Sequence, residues 1–487
     1  MRFQVHDVNL SSGGPLIVII NKQDASKLDI LPLSRLKIKK ENNSITVVAD
    51  IAEDSQIKPG KIGFFEEVLT KLNLKDKDYI DVELEERPKS IDYIKKKLKG
   101  SKLSFQEINT IIKDIVQNRL SEIEITYFVS ACYTNKLTLD ESVSLTKAIV
   151  ANGNQLHLNK KIVVDKHSVS GVPGNRTTMI VVPILAAAGL VVPKTSSRAI
   201  SSASGTADTM EVLAPVNLTI KQIKNVVEKT NACMVWGGAL ELASADDKII
   251  KIERPLSLDP EGILLSSILA KKKAVNATHV LIDIPYGKEA KIESKTRALN
   301  LKKKFMAVSK KIGLKVKVVL TKTNQNIGNG IGPALEARDV MNVLAGKGPQ
   351  DLRKKSLFLA NEILKMVGQK PIATQLLDSG KALGKMLEII KAQGGEINYN
   401  IELAQYKINI KSHKPGKIVS ISNNAIAHLA RIAGAPEDKQ AGLYIYVNLK
   451  DKVKKGQLLF TIYTSNLEKL NFIKESLKDL EVMKISQ

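Results

Sequence analysis

The sequence is poor in cysteine and in aromatic residues, and both shortages narrow the class of protein. Only two cysteines, Cys132 and Cys233, occur among 487 residues, so a disulfide framework is excluded. No secretory signal is visible, and we expect a cytoplasmic protein. Aromatic residues make up 4 % of the chain, which argues against a stacking platform for single-stranded nucleic acid.

Long hydrophobic runs and metal-ligand clusters are also missing. The most apolar stretch, Met179–Val192, contains Pro183 and is shorter than the roughly 20 residues that a membrane-spanning helix needs. It therefore predicts a buried core helix. The six histidines are scattered and show no zinc-binding spacing. We expect no membrane partner, no metal and no cofactor.

Acidic residues are outnumbered by basic ones. Lysine and arginine total 74 against 50 aspartate and glutamate residues, which gives a formal net charge of +24. Such a surplus indicates an anionic partner: nucleic acid, a membrane surface or a phosphorylated small molecule. A general enrichment in lysine, as in proteins from hot habitats, explains the surplus equally well, so the charge alone leaves both interpretations open.

The hydrophobic pattern changes along the chain and predicts a multidomain α/β protein. Short β-branched runs predict a β-rich N-terminal domain over residues 1–86. Helical spacing predicts a small all-helical domain over 87–158, with part of 220–250, in which Ser104 and Glu107 form a capping box. Strands at 162–164, 278–283 and 316–320 alternate with helices over 159–405, which predicts a large α/β domain with a mostly parallel sheet. Residues 406–487 predict a small α+β C-terminal domain.

The segment Asp165–Thr178 has the composition of a phosphate-binding loop. It follows a predicted strand, precedes the apolar helix and contains Lys166, Ser168 and Thr178. Small residues allow backbone N–H groups to approach phosphate oxygens, hydroxyls donate hydrogen bonds, and a helix N-terminus favours an anion. The Walker order of residues is absent. An ordinary β–α turn is the alternative interpretation.

A second segment, Thr195–Asp208, is dense in hydrogen-bond donors. It holds five serines, two threonines and Arg198, whose guanidinium suits a phosphate or a carbonyl. A flexible serine-rich linker is the alternative.

Two single residues are candidates for chemistry. Asp259 precedes Pro260 near an expected helix start, where helix capping is the commonest use of aspartate. Lys291 follows the carboxyl end of a predicted strand, where open α/β sheets bind ligands, although a solvated surface lysine has the same appearance. The glycine-rich stretch 328–333 is interpreted as structural, with Pro333 as the first residue of a helix.

At these segments the sequence resembles the thymidine/pyrimidine nucleoside phosphorylase family, most closely an archaeal branch that acts on nucleotides. The matching stretches are Asp165–Gly171, Ser196–Asp208 and Ser267–Lys272, and the β-rich N-terminal domain also matches that branch. The resemblance implies phosphorolysis of AMP to adenine and ribose 1,5-bisphosphate, with CMP and UMP as further substrates. It also implies a pentosyltransferase that needs no cofactor. The enzyme is expected to form a homodimer or a larger homo-oligomer.

The resemblance also assigns roles to individual residues. The attacking phosphate is expected to bind Lys166, Ser168, Thr178, Ser196 and Thr206. The nucleotide is expected to bind Gly171, Ser197, Arg198, Ala199, Ile200, Ser201, Ser202, Thr206, Ser267 and Lys291. Asp259 matches the acid that protonates the departing base.

Departures from the nucleoside enzymes favour a more anionic substrate. The loop Ser170–Asn175 lacks their aspartate, and Lys291 replaces an apolar residue, so an acid is lost and a donor is gained. Two alternatives stay open. One is a pyrimidine or thymidine nucleoside phosphorylase, and the other, from a different class, is a basic nucleic-acid-binding protein.

Overall fold

A computed structural model describes residues 1–41, 43–53, 56–169, 171–199, 202–240, 243–253, 255, 258–397 and 400–486. The chain divides into two compact units. The first comprises residues 1–152 and 244–266, and the second comprises residues 153–243 and 267–487.

The first unit begins with a closed β-barrel. Its elements are β1 (Arg2–Asp7), β2 (Ile17–Asn21), α1 (Lys22–Lys27), β3 (Arg35–Lys40), β4 (Asn43–Ala52), β5 (Lys61–Phe64), α2 (Glu66–Leu72) and β6 (Tyr79–Leu84). The strands pair in the order β1–β5–β2–β4–β3–β6, and β6 pairs with β1 to close the barrel. Alternation along β3 directs Leu36 and Ile38 into the core, as period-2 patterning requires.

Helices complete the first unit. They are α3 (Ser90–Leu98), α4 (Phe105–Val116), α5 (Glu122–Thr134) and α6 (Leu139–Ala151). The capping box of Ser104 and Glu107 is confirmed at the start of α4, and α5 and α6 begin with the same device. Each box satisfies backbone donors that a helix start would otherwise leave unpaired.

The second unit contains the α/β domain. The elements from this part of the chain are β7 (Val164–Ser168), α7 (Thr177–Ala187), β8 (Val192–Ser196), α8 (Thr206–Glu211), α9 (Ile220–Thr230), β9 (Ala232–Trp236), α10 (Ser244–Glu253), α11 (Glu261–Ala274), β10 (His279–Tyr286), α12 (Lys295–Lys311), β11 (Lys315–Lys322), β12 (Gly330–Ile331), α13 (Pro333–Leu344), α14 (Gln350–Met366), α15 (Ala373–Asp378) and α16 (Lys381–Ala392). Of these, α10 and the first part of α11 belong to the first unit. Pro333 is the first residue of its helix, as predicted.

The central sheet of the α/β domain is parallel. Strands pair in the orders β11–β10–β7 and β8–β9, and a parallel bridge between Val163 and Val191 joins the two groups. Helix α7 is buried on every side within the main apolar core of the domain. A parallel sheet covered by helices is the predicted architecture.

The C-terminal domain is α+β. Its elements are β13 (Tyr406–Lys411), β14 (Gly416–Ile421), α17 (Asn423–Ala433), β15 (Gly442–Ile445), β16 (Lys452–Val453), β17 (Leu458–Thr464), α18 (Leu467–Asp479) and β18 (Met483–Ser486). They form two antiparallel sheets, ordered β12–β15–β17–β13 and β16–β14–β18, around a separate core. The predicted multidomain α/β fold class is therefore confirmed.

Two sequence-based predictions need correction. The strand predicted at 162–164 overlaps β7 only at Val164, because β7 extends from Val164 to Ser168, so Lys166 lies in a strand and not in a loop. The apolar stretch 179–192 is not one helix, because α7 ends at Ala187 and β8 begins at Val192. Gly189 lies between them with φ +81°, a left-handed conformation that ends helices. In the described part of the chain, no helix combines the length and apolar character needed to cross a bilayer.

The helical bundle contains a buried ion pair whose loss should be costly. Lys97 Nζ lies 2.8 Å from Glu141 Oε1, and each side chain is 2 % exposed. Lys97→Met leaves the Glu141 charge buried without its partner and should lower the free energy of unfolding by about 3–5 kcal/mol. Urea denaturation measures the change.

The neighbouring Lys96 provides a matched control. It pairs with Glu107 at the surface, so Lys96→Met should cost only about 0–1 kcal/mol. The double variant Lys97→Met/Glu141→Gln should recover part of the lost stability. Equal losses of unfolding free energy in Lys96→Met and Lys97→Met would show that the buried ion pair stabilises the protein no more than the surface pair does.

Candidate active site

The candidate residues collect at the carboxyl edge of the parallel sheet. On β10 and β7, Asp283 pairs with Ser168, and on β8 and β9, Ser196 pairs with Trp236. The register of the bridge between β7 and β8, extended along both strands, places Ser168 level with Ser196. The ends of adjacent parallel strands form the ligand-binding edge of open α/β sheets.

Lys166 lies inside this edge and is 1 % exposed. Its Nζ donates to the hydroxyls of Thr177, at 2.8 Å, and Thr178, at 3.3 Å, in the first turn of α7. Among the described residues, no carboxylate lies within ion-pair distance of this ammonium. Burial lowers the pKa of Lys166 to about 7. A buried cation among neutral oxygens is a site prepared for an anion.

Ser168 stands at the end of β7 with its hydroxyl held from two sides. Its Oγ donates to Asp283 Oδ2 at 2.9 Å and accepts from Asn175 Nδ2 at 3.1 Å. The loop that follows β7 therefore folds back onto the strand end. Lys166 contacts Thr178 directly, and Ser168 lies two residues further along the same strand.

Ser196 and Thr206 come from the second serine-rich segment. Within the described residues, the buried Oγ of Ser196 has no hydrogen-bond partner, so it can serve a ligand without breaking an existing contact. Thr206 is the first residue of α8, and its Oγ1 accepts from Arg176 NH1 at 3.3 Å. Arg176 also donates to the Ser204 carbonyl at 2.6 Å and pairs with Glu336. This arginine thus ties the two candidate loops to each other.

The serine-rich segment is not a flexible linker where the structure describes it. Asp208 Oδ2 accepts from the backbone N–H groups of Ala199, at 2.7 Å, and Gly205, at 2.8 Å. A Cβ on Gly205 would lie 2.6 Å from the Ser197 carbonyl oxygen and from the Ala199 nitrogen, so only glycine allows this approach. Asp208 therefore holds the backbone of Ala199 close to that of Gly205.

Arg198 is bound to carboxylates in this structure. Its guanidinium donates to both oxygens of Glu211 at 2.7 Å and to Asp208 at 3.2 Å, and it lies 5.0 Å from the centre of the Trp236 ring. The hydrogen bond from Arg198 holds the pKa of Glu211 at about 2, and Lys439 also pairs with this carboxylate. Arg198 is therefore positioned by a carboxylate and an aromatic face. Ser202, in the same segment, donates to the Ser204 carbonyl at 3.0 Å.

Lys291 lies next to the loop that follows β7. Gly171 adopts φ +117°, and a Cβ there would lie 2.6 Å from the Lys291 nitrogen. Two candidate nucleotide-binding residues are therefore in backbone contact. The preceding Glu289 accepts from Ser422 Oγ at 2.9 Å and from the Asn424 N–H at 3.2 Å, so the start of α17 anchors this loop.

The other candidates are placed as follows. Ser267 is buried on α11. Ile200 and Ser201 lie outside the described residues. Asp259 lies in the first unit and is half-buried. The Pro260 carbonyl accepts the first helical hydrogen bond, from Leu264, so Pro260 and not Asp259 occupies the usual N-cap position of α11.

Three organising residues escaped the sequence prediction: Arg176, Asp208 and Asp283. The first two stand in the quoted segments, but only the folded chain reveals which backbone groups they bind. Asp283 has a clearer signal, because it is a carboxylate inside the otherwise apolar strand β10. In the described ranges, no three histidine, cysteine, aspartate or glutamate side chains converge in a way that could hold a metal ion.

Comparison with family models matches three parts of the chain. Residues 91–153 match the glycosyl transferase family helical bundle domain, and residues 160–383 match the α/β domain of the same family. Residues 417–483 match the pyrimidine nucleoside phosphorylase C-terminal domain.

Known proteins resemble the chain over nearly its whole length. The AMP phosphorylase of Pyrococcus furiosus is 43 % identical, covering 100 % of this chain and 98 % of its own. That of Thermococcus kodakarensis is also 43 % identical, covering 97 % and 95 %. A putative thymidine phosphorylase of Legionella pneumophila is 42 % identical, covering 92 % and 87 %.

A solved structure shares the fold at low identity. Anthranilate phosphoribosyltransferase from Thermus thermophilus superposes with a TM-score of 0.53 at 15 % identity, over 62 % of this chain and 99 % of its own. The resemblance stated from the motifs is confirmed by the close relatives and the family models. The chain is an enzyme of the thymidine/pyrimidine nucleoside phosphorylase family, a group of pentosyltransferases.

Proposed function

We propose that this enzyme catalyses the phosphorolysis of AMP to adenine and ribose 1,5-bisphosphate, and accepts CMP and UMP as well. The observation that carries the proposal is the buried Lys166 ammonium, which is surrounded by hydroxyls at the carboxyl edge of the sheet. The relatives named AMP phosphorylase support the choice of nucleotide. Phosphate acts as its own nucleophile, so protein donors suffice and no cofactor takes part.

The reaction exchanges one bond at the anomeric carbon for another. An oxygen of inorganic phosphate attacks C1′ of the ribose, and the bond between C1′ and the base nitrogen breaks. The electron pair leaves with the adenine, which takes up a proton and departs neutral. We assign the phosphate to Lys166, Ser168, Thr178, Ser196 and Thr206, whose donors would compensate its charge.

We assign nucleotide binding to the second group of residues that the family resemblance indicates. It comprises Gly171, Ser197, Arg198, Ala199, Ile200, Ser201, Ser202, Thr206, Ser267 and Lys291. The contact between Gly171 and Lys291 supports the grouping of these two. The domain limits 1–86, 87–158 with part of 220–250, 159–405 and 406–487 remain our proposal for the organisation of the chain.

We also propose that the enzyme is a cytoplasmic homodimer or larger homo-oligomer. Both cysteines are buried free thiols, which suits a reducing compartment. Ile123 and Tyr127 are 60 % and 55 % exposed and lie one turn apart on the same face of α5, and neighbouring exposed apolar side chains are a feature of interaction surfaces.

The proposed reaction is tested by chromatography of the products. AMP, adenosine, thymidine and uridine are each incubated with and without phosphate. We expect phosphate-dependent release of adenine from AMP in clear preference to release of base from the nucleosides. Preferred cleavage of thymidine would favour the activity for which the Legionella relative is named. Nucleic-acid binding without phosphate-dependent base release would favour the third interpretation.

The charge of Lys166 should make phosphate use depend on pH. Its pKa of about 7 means that the side chain is charged below pH 7 and loses its proton above it. If the charged form binds phosphate, kcat/KM for the phosphate dianion should fall by about tenfold per pH unit above the pKa. Lys166→Arg keeps its charge throughout and should remove this fall, even where its activity is lower. A flat wild-type profile would contradict the assignment.

Lys291 should select for the 5′-phosphate. A charge-assisted hydrogen bond contributes about 1.5–3 kcal/mol, so Lys291→Ala should lower kcat/KM for AMP roughly ten- to hundredfold more than for adenosine. Lys288→Ala, at an exposed position of the same loop, is the matched control and should leave the ratio unchanged. Equal losses on both substrates would show that Lys291 does not recognise the phosphate.

Asp259 should be the general acid. A positioned acid contributes about 10²–10⁴-fold, and asparagine cannot deliver a proton, so Asp259→Asn should lower kcat at least about a hundredfold. Thermal unfolding should change little, because asparagine has nearly the same size and shape as aspartate and Pro260, not Asp259, occupies the N-cap position of α11. Glu261→Gln, two residues further on, is the control and should retain turnover. An active, folded Asp259→Asn enzyme would leave the acid unassigned.

A further inference from the structure

The buried carboxylate of Asp283 contacts Ser168, one of the residues assigned to phosphate binding. Asp283 on β10 pairs in register with Ser168 on β7, and its side chain is fully buried. Three groups from three elements meet it. Ser168 donates to Oδ2 at 2.9 Å, Thr321 of β11 donates to Oδ1 at 2.6 Å, and Lys355 Nζ of α14 lies 3.0 Å from Oδ2.

These contacts allow Ser168 to change partner. A hydroxyl has one proton, so Ser168 can donate either to Asp283 or to a phosphate oxygen. When Ser168 turns to phosphate, Asp283 keeps Thr321 and Lys355, and its charge does not become unpaired. The carboxylate therefore orients the hydroxyl without preventing its use by a ligand.

Asp283 and Lys166 lie on the same face of the sheet, because Asp283 pairs with Ser168, two residues after Lys166 on β7. Burial lowers the pKa of Lys166, the charges of Lys355 and Arg176 lower it further, and the charges of Asp283 and Asp165 raise it. Burial alone would raise the pKa of Asp283, but Lys355 and Lys166 hold it below its ordinary value. Asp283 is therefore ionised at neutral pH and favours the charged form of Lys166, while Lys355 opposes that form.

We propose that Asp283 and Lys355 are positioning residues of the phosphate site: Asp283 orients the Ser168 hydroxyl and keeps Lys166 charged, and Lys355 limits the second effect. The proposal rests on the proposed function, in which phosphate binds to Lys166 and Ser168. Neither residue is assigned to substrate contact. Because their charges are opposite, replacing each residue should shift the pH dependence of phosphate use in the opposite direction.

The test is the pH dependence of kcat/KM for the phosphate dianion in the full-length enzyme. Asp283→Asn removes a negative charge near Lys166 and should move the descending limb of the profile to lower pH by about one unit. Lys355→Met removes a positive charge and should move it to higher pH. KM for AMP should change less than KM for phosphate in both variants.

Lys354→Met is the matched control, because Lys354 is the exposed neighbour on the same helix, and its profile should coincide with the wild type. If Asp283 and Lys355 had a purely structural role, both variants would lose activity, but the descending limbs of their pH profiles would not move in opposite directions. Unmoved limbs, or limbs that move the same way, would overturn the proposal. If Asp283→Asn does not fold, Lys355→Met decides alone: a shift to higher pH supports the proposal and no shift overturns it.

The proposed function can fail separately. A wild-type enzyme that releases no base in a phosphate-dependent manner refutes that function, whatever the variants do. A wild-type enzyme with the expected descending limb, and variants that leave the limb in place, refutes only the role of Asp283 and Lys355.

Discussion

The ammonium of Lys166 lies inside the protein and donates to two neutral hydroxyls, at a position that β7 fixes between its neighbouring strands. A buried charge without a counter-charge at hydrogen-bond distance is costly, and burial lowers the pKa of this lysine to about 7 for that reason. An anion that reaches the carboxyl edge of the sheet relieves this cost. The protonated form of Lys166 thus favours a negatively charged ligand at this edge.

The neighbouring buried charges maintain this positive character. Asp165, next to Lys166 on β7, pairs with two lysines: Lys194 Nζ lies 3.3 Å and Lys272 Nζ lies 2.8 Å from its oxygens. One carboxylate cannot neutralise two lysines, and burial lowers the pKa of Lys194 to about 7, so this group carries a net positive charge only while Lys194 stays protonated. Asp283 balances Lys355 on the other side of β7. The protonated lysines of the sheet interior therefore favour an anion at this edge.

The sequence predicted the regular parts of the fold because their signals are local. Alternating apolar residues mark β3 and β6, a β-branched run marks β11, and the capping box marks α4. β7 was predicted too short because Asp165-Lys-His-Ser168 is polar, and a polar run does not indicate a central strand. Only the folded chain supplies the buried partners that allow such residues inside a parallel sheet.

For the candidate site too, the sequence indicated some features and not others. Donor-rich composition located both loops, and the family resemblance assigned their roles, whereas residue spacing alone left a β–α turn and a linker open. The residues that organise the site could not be found from spacing, because Arg176 bonds to Ser204 and Thr206 far along the chain. Asp208 likewise binds backbone groups that come near it only after folding. Such contacts belong to tertiary structure.

The central claim is that the carboxyl ends of β7 and β8 form one phosphate site around Lys166. The most direct measurement is a crystal structure of the enzyme soaked with inorganic phosphate at a concentration near its KM. The account predicts a single phosphate within hydrogen-bond distance of Lys166 Nζ and of the hydroxyls of Ser168, Ser196 and Thr206. Phosphate bound elsewhere, with Lys166 still held only by Thr177 and Thr178, would contradict it.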